Sequence, residues 1–175
     1  YGGSVRHPRR STYVTRVLYP GSFDPIHNGH LELIEVASRL FDSVVVATIG
    51  NPQKTTGLYS LHERRTMIEE SVAHLPNVEV TSYSSLVVNL AREVGADFIV
   101  KGLRAVSDFG SELQQSQMNL AISGVHTVFI PSATEHSFVA SKWIREIARF
   151  GGDVSSMVPA PVAARLAESF QEPPA

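Results

Sequence analysis

Residues 19–40 read YPGSFDPIHNGHLELIEVASRL, and the two histidines inside this stretch, His27 and His30, bracket Asn28-Gly29 where a strand gives way to a helix. Before it lies a short β-branched run; after it, apolar residues recur at helical spacing. Two imidazoles and a glycine at such a junction fit metal ligation, a phosphate grip or an ordinary turn. Zinc is poorly served, because no cysteine and no obvious third carboxylate ligand is nearby. A glycine at the helix start admits close backbone approach, and the helix N-terminus offers unpaired N–H groups to an anion.

The same strand-to-helix alternation continues through the chain. Strands are expected at 15–19, 43–49, 77–82, 97–100 and 125–130, rich in Val, Ile, Thr and Phe and lacking a polar alternate face, so both faces should be covered. The helices between them are well punctuated. Ser60-Leu-His-Glu63 is a capping box opening 61–75, and Gly95 is expected as the C-cap of 85–94. Asp108 is expected to cap a helix to about 122, Ser137 to open one to about 150, and Pro161 to start the last. Trp143 reads as core. Alternation of this kind predicts an α/β fold with a single doubly wound parallel sheet, Rossmann-like, flanked by helices. Residues 15–170 are expected to form one domain, 1–14 a flexible or expression-derived lead, and 171–175 a tail.

Composition narrows the function. The chain of 175 residues has a net charge of −2, which gives no global attraction to nucleic acid or an anionic membrane. It has no cysteine, so disulfides and thiolate metal sites are excluded and a reducing, cytoplasmic setting is expected. No apolar run approaches the roughly 20 residues that span a bilayer. In a doubly wound fold ligands gather at the carboxyl ends of the strands, and the loops expected there carry Lys54, Lys101, Arg104 and the two histidines. An anion, phosphate first of all, is the expected ligand. Neither a G-x-G-x-x-G nor a Walker A loop is present.

YPGSFDPIHNGH, with its H-x-G-H core, resembles the signature of the nucleotidyltransferase superfamily. The further stretches NPQK, LHERR, KGLRAVSDF, QMN and PSATEHSFVASKWIREIARFGGDVS, in that order, resemble the phosphopantetheine adenylyltransferase family over roughly residues 17–165. The resemblance implies transfer of the adenylyl group of ATP to 4′-phosphopantetheine, giving dephospho-coenzyme A and pyrophosphate by direct in-line attack. It implies that Ser22, His30, Lys54 and Arg104 are catalytic. Phe23, Gly102, Glu112, Ser137, Phe138, Val139 and Ser141 would join Ser22, His30 and Arg104 around ATP; Leu86, Val87, Lys101, Met118 and Asn119 would join Ser22 and Lys54 around the acceptor. It further implies magnesium carried on phosphate oxygens with no protein metal ligand, recognition of dephospho-coenzyme A and coenzyme A, and a homohexamer. The signature alone also fits a nicotinate-mononucleotide adenylyltransferase, and a non-catalytic nucleotide-binding module is the reading outside enzymes. Asp24 is either a turn cap or a ligand. Four departures from the family pattern stand out: Gly110 and Ser111 replace an acidic and an aromatic residue, and Ala140 and Lys142 replace two hydroxyls.

Overall fold

A computed structural model describes residues 13–170 except 51–56, 105 and 133, with no account of the side chains of 106–108 and 134. Lys54, the lead through residue 12 and the tail from 171 lie outside the described residues. Five strands form one all-parallel sheet: β1 (Arg16–Gly21), β2 (Ser43–Ile49), β3 (Val78–Tyr83), β4 (Phe98–Leu103) and β5 (His126–Pro131). Their spatial order is β3-β2-β1-β4-β5, so the direction of winding reverses between β1 and β4.

The helices among the described residues are α1 (Asn28–Leu40), α2 (Leu61–Val72), α3 (Val87–Glu93), α4 (Val106–Ser123), α5 (Ser141–Arg149) and α6 (Ala160–Phe170), with a 3-10 turn at Thr134–His136. Continuous apolar strands serve two cores at once, because successive side chains point to opposite faces. Val17, Val44, Val46 and Val100 pack with Ile34, Met67, Ile144 and Leu166 on one face, whereas Leu18, Val45, Ala47 and Ile99 pack with Val88, Leu90 and Ala91 on the other. The expected capping box is formed: the Glu63 N–H donates to Ser60 Oγ at 3.2 Å and the Ser60 N–H to Glu63 Oε2 at 2.8 Å. Gly95 takes a φ of 65°, the left-handed C-cap conformation expected of it.

Five expectations need correction. Asp108, expected to cap α4, lies inside its first turn, because the helix already runs from Val106. Asn28-Gly29 is not a turn ahead of the helix but its first two residues, so His30 stands in the first turn. β4 runs on to Leu103, which makes Lys101 and Gly102 strand residues aimed by the pleat. The helix expected from Ser137 begins at Ser141, since the 3-10 turn and extended Ala140 take up the intervening chain. Trp143, expected in the core, is 53% exposed, and the ammonium of Lys142 lies 5.0 Å from its ring centroid.

The ladders on either side of the reversal are unequal. β1 pairs with β2 along six residues, from Arg16↔Ser43 to Gly21↔Thr48, but with β4 only at Val17↔Phe98 and Leu18↔Ile99. The two central strands part beyond Leu18 and Ile99 and open a crevice at their carboxyl ends.

Candidate active site

That crevice is a cavity of about 300 Å³. β1 and its turn contribute Tyr19, Gly21 and Ser22; α1 contributes His27, Gly29, His30 and Leu33; β4 contributes Lys101 and Gly102, followed by Arg104; α4 and α5 contribute Glu112 and Ser141. Strand reversal has brought together residues up to about 120 positions apart in sequence.

The α1 N-terminus lacks the usual Ser or Asp cap. The His27 N–H donates to His30 Nδ1 at 3.3 Å, and the two rings stack with centroids 3.6 Å apart. Phe23 closes the other side of His30 edge-on, at 4.9 Å. Burial, the neighbouring imidazole and Arg104 hold the His30 pKa well below its ordinary value. His27 is 2% exposed, and burial, followed by Arg104 and His136, pushes it down to about 3. Both rings are therefore neutral near pH 7. Since His30 accepts at Nδ1, its proton sits on Nε2, so the ring offers an N–H donor. His27 Nδ1 is buried and makes no hydrogen bond.

Gly29 lies close against its neighbours: a Cβ there would stand 3.2 Å from both the His136 carbonyl and the His27 ring. Its own N–H bonds no described residue, whereas the Asn28 N–H is taken by the Met157 carbonyl at 2.9 Å. The helix thus presents a backbone donor, a ring donor and the positive end of its dipole to one place. Opposite stand Lys101, 3.3 Å from Glu112, and Arg104, whose Nη1 donates to the Val139 carbonyl at 3.1 Å. Two cations against one carboxylate leave the cavity positive.

Asp24, two residues past Ser22, is neither a turn cap nor a cavity ligand. Its carboxylate is 8% exposed and accepts the Leu58 and Tyr59 N–H groups, each at 3.0 Å. Arg64 lies 3.3 Å and Arg145 3.5 Å from it, and Arg145 also donates to the Asp24 carbonyl. The same turn is held by Thr48 and Arg64 on the Ser22 carbonyl and by Ser141 Oγ on the Pro25 carbonyl at 2.8 Å. A buried, fully bonded carboxylate with two arginines is a structural hub.

Of the residues singled out by sequence, the cavity unites Ser22, His30, Lys101, Gly102, Arg104, Glu112 and Ser141. Phe23 is core, Val139 contributes its carbonyl, and Phe138 is 69% exposed. Ser137, Leu86, Val87, Met118 and Asn119 stand outside the cavity wall; Leu86 and Met118 are 61% and 60% exposed. Sequence reasoning left out Arg145 and the wall residues Tyr19 and Leu33. Only Arg145 carried a signal, a charge facing the core side of a short helix beside buried Ile144 and Ala148.

Residues 18–147 match the cytidylyltransferase-like family. Curated proteins similar to this chain include the phosphopantetheine adenylyltransferase of Synechococcus sp. strain JA-2-3B'a(2-13), 51% identical over 154 residues, covering 87% of this chain and 96% of the relative. The phosphopantetheine adenylyltransferase of Prochlorococcus marinus strain AS9601 is 45% identical over 157 residues, covering 89% and 99%. Among solved structures, a candidate nicotinate-nucleotide adenylyltransferase from Vibrio parahaemolyticus superposes with a TM-score of 0.67 over 89% of this chain and 99% of its own, at 19% identity. That likeness concerns the fold alone.

Proposed function

The chain belongs to the phosphopantetheine adenylyltransferases of the cytidylyltransferase-like family, and from that premise we propose that it joins ATP and 4′-phosphopantetheine into dephospho-coenzyme A and pyrophosphate. The observation that carries the reading is the convergence, in one cavity, of the α1 N-terminus and His30 with Lys101 and Arg104.

An oxygen of the acceptor phosphate attacks the α-phosphorus of ATP, the bond from that phosphorus to the bridging oxygen breaks, and its electron pair leaves on pyrophosphate. The nucleophile is already an anion near pH 7, so no general base and no covalent enzyme intermediate are needed. What remains is positioning and charge stabilisation. The Gly29 N–H, the His30 Nε2–H and the Ser22 hydroxyl meet the reacting phosphates, and Arg104 the departing pyrophosphate. Lys101 aims the acceptor phosphate, with Lys54 as its partner in the segment after β2. A neutral imidazole suits this chemistry, because it donates without first demanding a counter-anion, and an arriving phosphate raises its proton affinity as charge develops.

Magnesium fits as an ion carried by the nucleotide. Among the described residues no cluster of His, Asp or Glu could hold a metal, and Glu112, the one carboxylate in the cavity wall, already faces Lys101. It would supply charge neutralisation on the phosphates when bound, with few protein ligands. Apolar side chains exposed along α4, Phe109, Met118, Leu120 and Ile122, support the proposed assembly into a hexamer. Coenzyme A recognition and a cytoplasmic setting belong to the same reading.

The test is pyrophosphate release from ATP and magnesium with either 4′-phosphopantetheine or nicotinate mononucleotide. The first acceptor alone should support turnover, and dephospho-coenzyme A with pyrophosphate should regenerate ATP. Turnover with nicotinate mononucleotide, or with neither, would overturn the assignment.

A further inference from the structure

Beyond Lys101 the cavity wall passes into α4, where Glu112, Gln115 and Asn119 recur at spacings of three and four and so share one helix face. Lys101 Nζ donates to Gln115 Oε1 at 3.0 Å and lies 3.3 Å from Glu112 Oε2. An ammonium has three N–H donors. One is taken by Gln115; Glu112 Oε2, though within ion-pair distance, receives no hydrogen bond, which leaves two donors for the cavity that Lys101 lines. Lysine has no acceptor, so the carboxamide of Gln115 can face it only through oxygen. Its Nε2, with two N–H donors, therefore points away from Lys101, and on this exposed side chain it bonds no described residue.

We propose that Gln115 is a positioning and specificity residue for the acceptor: Oε1 holds the Lys101 ammonium off Glu112, and Nε2 donates to a carbonyl on the amide-bearing arm beyond the acceptor's phosphate. The inference rests on the reading of the chain as a phosphopantetheine adenylyltransferase. Without Gln115 the ammonium has Glu112 as its remaining protein partner and closes onto it, so its charge is neutralised by protein and no longer by substrate. The carboxamide links the two demands the acceptor makes, a dianion at one end and peptide-like amides along the arm. Asn119, one turn further along α4 and 8% exposed, continues the same polar line.

Two variants separate the two halves of the role. Gln115→Met keeps length and loses both functions; Gln115→Glu keeps an oxygen for Lys101 and loses the N–H donors. Steady-state kinetics are measured on the full chain with 4′-phosphopantetheine and ATP, with pantetheine, which carries the arm without the phosphate, as inhibitor. Gln115→Met should raise KM for 4′-phosphopantetheine about tenfold, the loss of roughly one hydrogen bond to a charged group, while KM for ATP stays within about twofold. Both variants should weaken inhibition by pantetheine about threefold or more, with an unchanged melting temperature. Pantetheine inhibition unaltered in both variants would overturn the amide contact. A parallel rise in KM for ATP, or no rise for 4′-phosphopantetheine, would overturn the acceptor role. A wild-type chain that makes no dephospho-coenzyme A would overturn the underlying reading, an outcome distinct from either.

Discussion

His27 and His30 stack with their ring planes 23° apart, and the backbone N–H of the first is received by Nδ1 of the second. Both rings are held neutral by burial, His27 down to about 3 and His30 well below its ordinary value. In the unfolded chain each would take a proton near pH 6.5. Below that pH the unfolded state binds more protons than the folded one, so stability rises with pH across this window and is lost as pH falls from about 6.5. Chemical denaturation from pH 7 to pH 5 should show a falling midpoint, with a slope of up to about 1.4 kcal/mol per pH unit for each histidine. His27→Gln should flatten the profile. A wild-type profile already flat would mean that the rings titrate normally.

His30→Ala removes the one ring donor held in the first turn of α1. Turnover should fall by about 10²-fold or more, the usual cost of losing a preorganised donor to developing charge, with ATP affinity changed far less. Single-turnover rates and nucleotide binding, measured separately, check this. Equal losses in both would make His30 a ground-state grip.

Asp24→Asn should cost about 3 kcal/mol of stability in denaturant unfolding. The change leaves Arg64 and Arg145 without a counter-charge and sets an amide NH₂ against either the Leu58 or the Tyr59 N–H. A loss below about 1 kcal/mol would mean that the hub is replaceable by water.

Gly110→Ala should stabilise the protein by about 0.5–1 kcal/mol. Gly110 lies on an exposed stretch of α4, and a Cβ there meets nothing within 4 Å, so alanine gains helix propensity without a clash. Thermal unfolding of the two proteins side by side measures it. Destabilisation would point to a neighbour that packs against this face, as in the proposed assembly.

The strands, the order of elements and the histidine-bearing start of α1 were legible because each is a local pattern: β-branched runs, a capping box, a glycine at a helix start. What the sequence could not display is the meeting of distant groups. Asp24 looked like a turn residue because its partners, at 58, 59, 64 and 145, are up to 121 positions away. Lys101 read as a loop residue until β4 proved to extend two residues past it. Trp143 read as core by size, yet the short helix α5 turns Ile144 and Ala148 inward and leaves Trp143 half in solvent. Gln115 gave no local signal at all, since its role depends on Lys101, fourteen residues earlier.

The parting of β1 from β4 after two paired residues means that the middle of the sheet is its least cross-linked joint, while the outer ladders run the length of their strands. Backbone groups at Tyr19–Gly21 and Lys101–Gly102 face each other across a gap where rungs would otherwise be. Under the proposed function, a nucleotide seated between them would act as a keystone, touching both halves of the sheet and tying them where the chain does not tie itself. Occupancy and rigidity would then rise together, and amide exchange in these two strand ends would gauge how full the cavity is.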